Sequence, residues 1–358
     1  MTNHWLLKPE LFDDELFSSW LIRAALLHGC DPITLTNSIW PKWRIWTIDR
    51  DRSIPKGKLK TLIKLVDVDS DFFENAFIEP IVKKITNTDL HTSAIWPFLL
   101  AYGMRNRRSH AGLQFCPICI NNGEPYFRRS WRIAWNVICP IHKTKLIDHC
   151  SHCLKPIQIQ KIEFSQNSLI ICPFCEKYID GLCQSKHENY SNAFDLQTKC
   201  NDTLNNRSAN FRKSFFRKLQ LCISIVRFSQ RTPSIALSNF MKELNITVSN
   251  NSISKTGLVF ELLAIDERYR LLELSHPLMI SSYSKIIQSL KNNNVSFRLI
   301  QSMKISLPKE FETLARIELK GIQKKQYNSI SISKKKPKSI RAVKQMHARL
   351  LRKFNSYS

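Results

Sequence analysis

The chain has 358 residues, with 54 Lys or Arg against 29 Asp or Glu, a formal net charge of +25. Such a surplus points to a polyanionic partner, and 43% hydrophobic residues is enough for more than one folded core. Only 8 glycines and no GxxxxGK[ST] string exclude a glycine-loop nucleotide fold and an ATPase. Met1 to Lys8 lacks a basic segment followed by an apolar run, and no stretch reaches the ~18 apolar residues of a membrane span. A cytoplasmic, nucleoid-associated protein without membrane contact is expected.

A first helix is predicted with Asp13 as its cap and Asp14 and Glu15 in its first turn, because Leu16, Phe17, Trp20, Leu21, Ala24 and Leu27 recur at helical spacing up to Gly29. A helix N-terminus accounts for these three acids better than a metal-binding carboxylate set for phosphodiester chemistry. Pro32 opens a second short helix, an aromatic segment carries Trp40, Trp43 and Trp46, and two more helices fall near Lys58 to Val66 and Asp71 to Ile85. The tight acidic turn between these two resembles a helix-turn-helix.

From Phe115 to Cys183 the pattern shifts to short β-branched and aromatic stretches punctuated by cysteine pairs, read as small hairpins. The polar stretch after it reads as a linker. Helical periodicity returns at Phe211, Phe215, Leu219, Cys222 and Val226, then near Ser234 to Leu244, then at Leu258, Leu262, Ile265, Tyr269 and Leu272 until Pro277, and again from Pro308 through Phe311, Leu314 and Ile317. After Glu318 the chain has no acid and ends in a basic tail. The fold class expected is mainly α with small β zinc ribbons. Its parts are a helical, helix-turn-helix-like domain over 1–114, a tandem zinc-ribbon module over 115–184, a linker over 185–209, a helical domain over 210–320 and a tail over 321–358.

The cysteine spacing carries the chemistry. Cys116 and Cys119 are followed by Cys139 and His142, then Cys150 and Cys153 by Cys172 and Cys175, making one Cys₃His and one Cys₄ set. A two-residue gap lets one tight turn aim two side chains at one ion, and three of the four pairs have proline after the first cysteine, where fixed φ preorganises the turn. Two full tetrads leave no open position for water, so two structural Zn²⁺ ions are expected. Consecutive pairing is favoured over a cross-brace in which Cys116, Cys119, Cys150 and Cys153 share an ion. Seven thiolates and two Zn²⁺ lower the charge only to about +22, which leaves the polyanion argument standing. Cys30, Cys183, Cys200 and Cys222 read as small buried hydrophobes, and His149, His152 and His187 as surface or supporting residues.

Candidate nucleic-acid contacts are Arg105, Arg107, Arg108, Arg128, Arg129 and Arg132, which lie among Tyr126, Phe127, Trp131 and Trp135 beside the first tetrad. The alternative for the aromatics is a small core, and for the arginines a solvated face. In the tail, Lys334, Lys335, Lys336, Lys338, Arg341 and Lys344 are candidates for phosphate contact without base selectivity.

The string Phe115-Cys116-Pro117-Ile118-Cys119, then Gly123-Glu124-Pro125-Tyr126-Phe127-Arg128-Arg129-Ser130-Trp131, then Cys139-Pro140-Ile141-His142 resembles the TniQ family. The segment Phe12-Asp13-Asp14-Glu15-Leu16-Phe17-Ser18-Ser19-Trp20-Leu21-Ile22-Arg23-Ala24 is similar to that family's opening helix. The resemblance covers roughly the first 180 residues. It implies a non-enzymatic target-selection adaptor of Tn7-like transposition that engages double-stranded DNA and recruits a TnsC-type AAA+ ATPase. Some family members read an attachment sequence directly, and others dock as a dimer on a CRISPR Cascade complex with its guide RNA, so both routes and a homodimer stay open. The runner-up is a free-standing zinc-dependent DNA-binding regulator of transcription.

Overall fold

The computed structural model describes residues 4–86, 90, 95–101, 113–166, 168–179, 191–232, 234–246, 258–303, 305–320 and 347. Met1–Lys320 form one compact unit. The described part is helical: α1 (Phe17–Leu27), α2 (Pro32–Ile39), α3 (Lys56–Val66), α4 (Glu79–Ile85), α5 (Pro117–Asn121), α6 (Asn192–Asn206), α7 (Ala209–Arg231), α8 (Ile235–Glu243), α9 (Ile265–Ile280), α10 (Tyr283–Asn292), α11 (Phe297–Gln301) and α12 (Lys309–Glu318), with short 3₁₀ turns between them. Among the described residues no helix is long and apolar enough to cross a membrane.

The expected β zinc ribbons are overturned: among the described residues there is no β-strand, only isolated bridges. Three of these, Ile138 with Lys145, His149 with Pro156 and Ile171 with Tyr178, each close the base of one cysteine turn. A single pair then suffices, because the turn above it is already tied by backbone bonds such as Cys139 N–H to Thr144 C=O (2.8 Å) and Cys172 N–H to Lys177 C=O (2.9 Å). Beyond the bridge the arms leave to pack on helices instead of continuing a ladder. Gln197 of α6 takes the place of a neighbouring strand: its Oε1 accepts from Val137 N–H (2.8 Å) and Ile138 N–H (3.0 Å), and its Nε2 donates to Ile138 C=O (2.7 Å).

Other expectations shift. Helix α1 starts after the three acids, not on them: Asp14 sits at φ 58°, and no side chain caps α1. The stretch is drawn out of helical register because Leu16 N–H donates to Phe127 C=O (2.8 Å) and Arg129 N–H to Asp14 C=O (2.6 Å). The helix expected over 71–85 is a 3₁₀ turn, Glu74–Ala76, followed by the short α4, so no tight turn joins it to α3. Most of the segment expected as a linker is α6, capped by Ser191 and burying Ala193, Leu196, Cys200 and Leu204 against α7 and α9. Pro277 does not close α9, which runs three residues further.

Two aromatic cores organise the unit. Phe17, Trp20, Trp40 and Phe73 lie at the centre of the amino-terminal helices, with Phe17 and Phe73 edge to face at 5.5 Å. Trp135 stacks on Phe216 of α7 at 4.7 Å, and Phe98 packs on both rings and on Phe260. The second core joins the cysteine-rich segment to the carboxy-terminal helices.

Candidate metal centres and the buried charges around them

Each cysteine turn is built locally. Cys119 N–H donates to Cys116 Sγ (3.5 Å) and His142 N–H to Cys139 Sγ (3.4 Å), so the second residue's amide stabilises the first residue's sulfur. The first pair then runs into α5, with Pro117 at its first position. The other three pairs turn back sharply, placing Lys143, Leu154 and Glu176 at φ 55° to 57° directly after the second ligand.

Tertiary packing brings these turns together in two groups. Cys116, Cys119, Cys139 and His142 form one, and Cys150, Cys153, Cys172 and Cys175 the other, with ligand atoms within 4.8 Å of one another in each. His142 Nδ1 lies 3.5, 3.2 and 3.7 Å from the sulfurs of Cys116, Cys119 and Cys139. The Cys150–Cys175 and Cys153–Cys172 sulfurs are each 3.7 Å apart. A tetrahedron with Zn–S near 2.3 Å has edges of about 3.8 Å, so the donor sets fit a tetrahedral thiophilic ion. The thiols of Cys119 and Cys139 directed at Cys116 hold that group well below the usual thiol range. Cys116, Cys139, Cys150 and Cys172 are buried, which fits a closed structural site. The two groups share a scaffold: Phe115 and Ile147 exchange backbone bonds at 2.9 Å, and Leu113 N–H donates to Ile157 C=O (3.2 Å).

The remaining cysteines are separate from the tetrads. Cys200 and Cys222 are buried, and burial pushes the Cys222 thiol up to about 12. Cys30 is half-buried, and Cys183 lies outside the described residues. His149 pairs with Asp148, His152 is exposed, and neither joins a tetrad; His187 lies outside the described residues.

Of the expected nucleic-acid contacts, Arg105, Arg107, Arg108, Lys334, Lys335, Lys336, Lys338, Arg341 and Lys344 lie outside the described residues. Arg132 is not available to a phosphate: it is 1% exposed and bonds Asp49 (2.7 Å), Asp51 (3.0 Å) and Leu100 C=O (2.8 Å). Arg129 pairs with Asp14 (3.4 Å). Arg128 is half-buried over the Tyr126 and Trp131 rings. Phe127, Trp131 and Trp135 are core residues, so the aromatics serve packing.

Buried charges missed by the sequence reading tie the amino-terminal helices to the cysteine-rich segment. Glu15 is fully buried, accepts from Ser19 Oγ (2.8 Å) and pairs with Arg23 (2.8 Å), which reaches on to Glu124 (2.9 Å). Asp51 accepts from the backbone and hydroxyl of Ser18 (2.8 and 2.9 Å) before meeting Arg132. Arg268 of α9 is fully buried and donates to Leu263 C=O, Ala134 C=O and Gln114 Oε1 (3.1, 2.7 and 2.7 Å), while burial lowers it to about 10. The available signal was Ser18, Ser19 and Arg23 inside an otherwise apolar helix.

Burial raises Glu15 to about 7 despite the opposing pull of Arg23. A carboxyl raised in the folded state stabilises below its unfolded value near 4.5, and that contribution is lost as pH rises through about 7. The full shift corresponds to roughly 3 kcal/mol. Thermal unfolding from pH 5 to 8 is expected to show stability falling with pH, and Glu15→Gln to flatten the curve; parallel curves for both proteins would contradict this.

A helical protein with two preformed Cys/His clusters, one Cys₃His and one Cys₄, is a metal-capable binding protein by its architecture. Residues 6–146 match the TniQ family model, a span that runs from before α1 through the whole first cluster. No curated protein sequence matches the chain. The matched span is less than half of the chain.

Proposed function

We propose that this protein is a non-enzymatic target-selection adaptor of Tn7-like transposition, which engages target DNA and recruits a TnsC-type AAA+ regulator to it. The observation that carries this reading is the TniQ match across α1 to α5 and the first Cys/His cluster, in a chain of net charge +25. Each cluster holds one structural Zn²⁺ by this reading, since four soft donors at tetrahedral spacing leave no position for substrate or water. The ions then act by fixing the segment against which α1 and α6 pack.

The experiment is co-purification of the tagged full-length protein with the AAA+ ATPase and transposase of the same element, with and without nuclease treatment. Retention of the ATPase is expected. Its absence in both conditions, with duplex binding intact, would favour the free-standing regulator instead.

A further inference from the structure

We infer that the Asn122–Gly123 bond is a self-modifying site, at which Asn122 converts to aspartate and isoaspartate between the first Cys/His cluster and the segment that packs on α1. This is the one Asn-Gly pair in the sequence. The reaction needs no cofactor. The Gly123 amide nitrogen attacks Asn122 Cγ, the Cγ–Nδ2 bond breaks, and ammonia leaves with the proton that the Gly123 nitrogen gives up. Water then opens the cyclic imide at either of its carbonyls, one route giving aspartate and the other isoaspartate. Glycine favours the attack because no β-carbon crowds the nitrogen.

The fold leaves both reacting groups free. Asn122 follows the last residue of α5 and sits at φ −98° and ψ 98°, off the helix. Gly123 is at φ 88°, and a β-carbon built on it would meet no atom within 4 Å, so the site is open. Asn122 and Gly123 are exposed, and among the described residues neither the Asn122 side chain nor the Gly123 N–H has a hydrogen-bond partner. Asn121 is the contrast. It is exposed too, yet its Nδ2 donates to Pro117 C=O (2.6 Å) and Ile179 C=O (3.3 Å). The nitrogen that would attack it is also held, because Asn122 N–H donates to Ile118 C=O (3.1 Å). Of two adjacent asparagines, one is locked and the other is not.

The position gives the change a structural effect. On one side, α5 carries Cys119 and is capped by Cys116, two ligands of the first cluster. On the other, Glu124 pairs with Arg23 (2.9 Å), Tyr126 packs on Phe12 (4.9 Å), and Phe127 N–H donates to Ser19 Oγ (2.9 Å). Isoaspartate routes the main chain through the side-chain carbon and lengthens it by one atom, and either product adds a carboxylate two residues from Glu124. The ligand turn and the contacts to α1 each fix the path of the chain, so the added atom strains the short span between them.

The test is ageing of the metal-replete full-length protein for days in mildly alkaline buffer, read by peptide mass mapping and by methyl transfer from an isoaspartyl methyltransferase. A denatured sample and the N122Q and N122D variants run in parallel. Residue 122 is exposed, so both variants should match the fresh wild type in metal content. In the folded wild type, Asn122 is expected to convert at a rate within an order of magnitude of the denatured sample, while Asn121 stays intact. The rate should rise with pH, because the attacking nitrogen must lose its proton. N122Q should show neither the acid nor the methyl group at this position. Aged wild type should unfold at a lower temperature than equally aged N122Q, and fresh N122D, which has the charge without the added backbone atom, should lie nearer to N122Q. Conversion in the folded protein slower than that margin would show that the fold protects the bond and would overturn the inference. Coinciding midpoints for aged wild type and aged N122Q would overturn its structural effect.

Discussion

Cys116→Ser is expected to release one metal ion per chain, leaving one of two, and to lower the unfolding midpoint enough to abolish the cooperative transition of the amino-terminal half. The size follows from linkage. Binding of a structural Zn²⁺ is worth about 10–16 kcal/mol in zinc-finger peptides, as large as the whole stability of an ordinary domain. The damage should also spread beyond the ligands. The segment between the two halves of this tetrad carries Phe127, whose C=O receives Leu16 N–H (2.8 Å) and whose N–H donates to Ser19 Oγ (2.9 Å). It also carries Arg132, the partner of Asp49 and Asp51. Losing the first ion therefore loosens α1 as well.

Cys172→Ser should likewise lose one ion with a smaller effect, because the loop before it is also held from outside: Phe164 N–H donates to Asp31 (2.6 Å). Metal per chain by mass spectrometry, read beside thermal unfolding, checks both. Two ions retained in either variant would refute the ligand assignment, and none in the wild type would refute the metal sites altogether.

Arg132→Met is expected to destabilise by about 3–5 kcal/mol, the cost of leaving a buried charge without its partner. Asp51 is fully buried and Asp49 nearly so, and the one guanidinium bridges both carboxylates. Arg132 holds Asp49 below the usual carboxylate range, while burial and the neighbouring Asp49 charge push Asp51 above it. Without Arg132 both must rise. A group depressed when folded stabilises above its unfolded pKa and loses that contribution as pH falls, so the Asp49 share of the deficit disappears on acidification. Denaturant unfolding should therefore show the gap between variant and wild type narrowing as pH drops through the carboxylate range. A deficit under 1 kcal/mol, or one independent of pH, would contradict the buried bridge.

Helices α1, α2, α3, α7, α8 and α12 were legible because each has an apolar stripe and at least one local start or stop signal, such as Pro32 at the first position of α2. Helix α6 was not: Asn, Asp, Gln and Lys dominate it, and only its packing on α7 and α9 makes Ala193, Leu196 and Cys200 a core stripe. The β ribbons were over-read for a related reason. β-branched residues beside cysteine turns signal extended backbone, but whether extended arms pair beyond one bridge depends on what else they meet, and here it is Gln197.

The amino-acid order alone determined the eight candidate ligands and the charge of the chain, because a CxxC or CxxH turn is closed by bonds spanning only a few residues and charge is a simple sum. Tertiary structure alone decided which charges face solvent. Arg132 and Asp51 stand 81 positions apart and Arg268 and Gln114 154 apart, and no local pattern records that such distant groups will be desolvated together. Burial costs an ionised group its hydration, and only the folded arrangement of partners determines whether that cost is met.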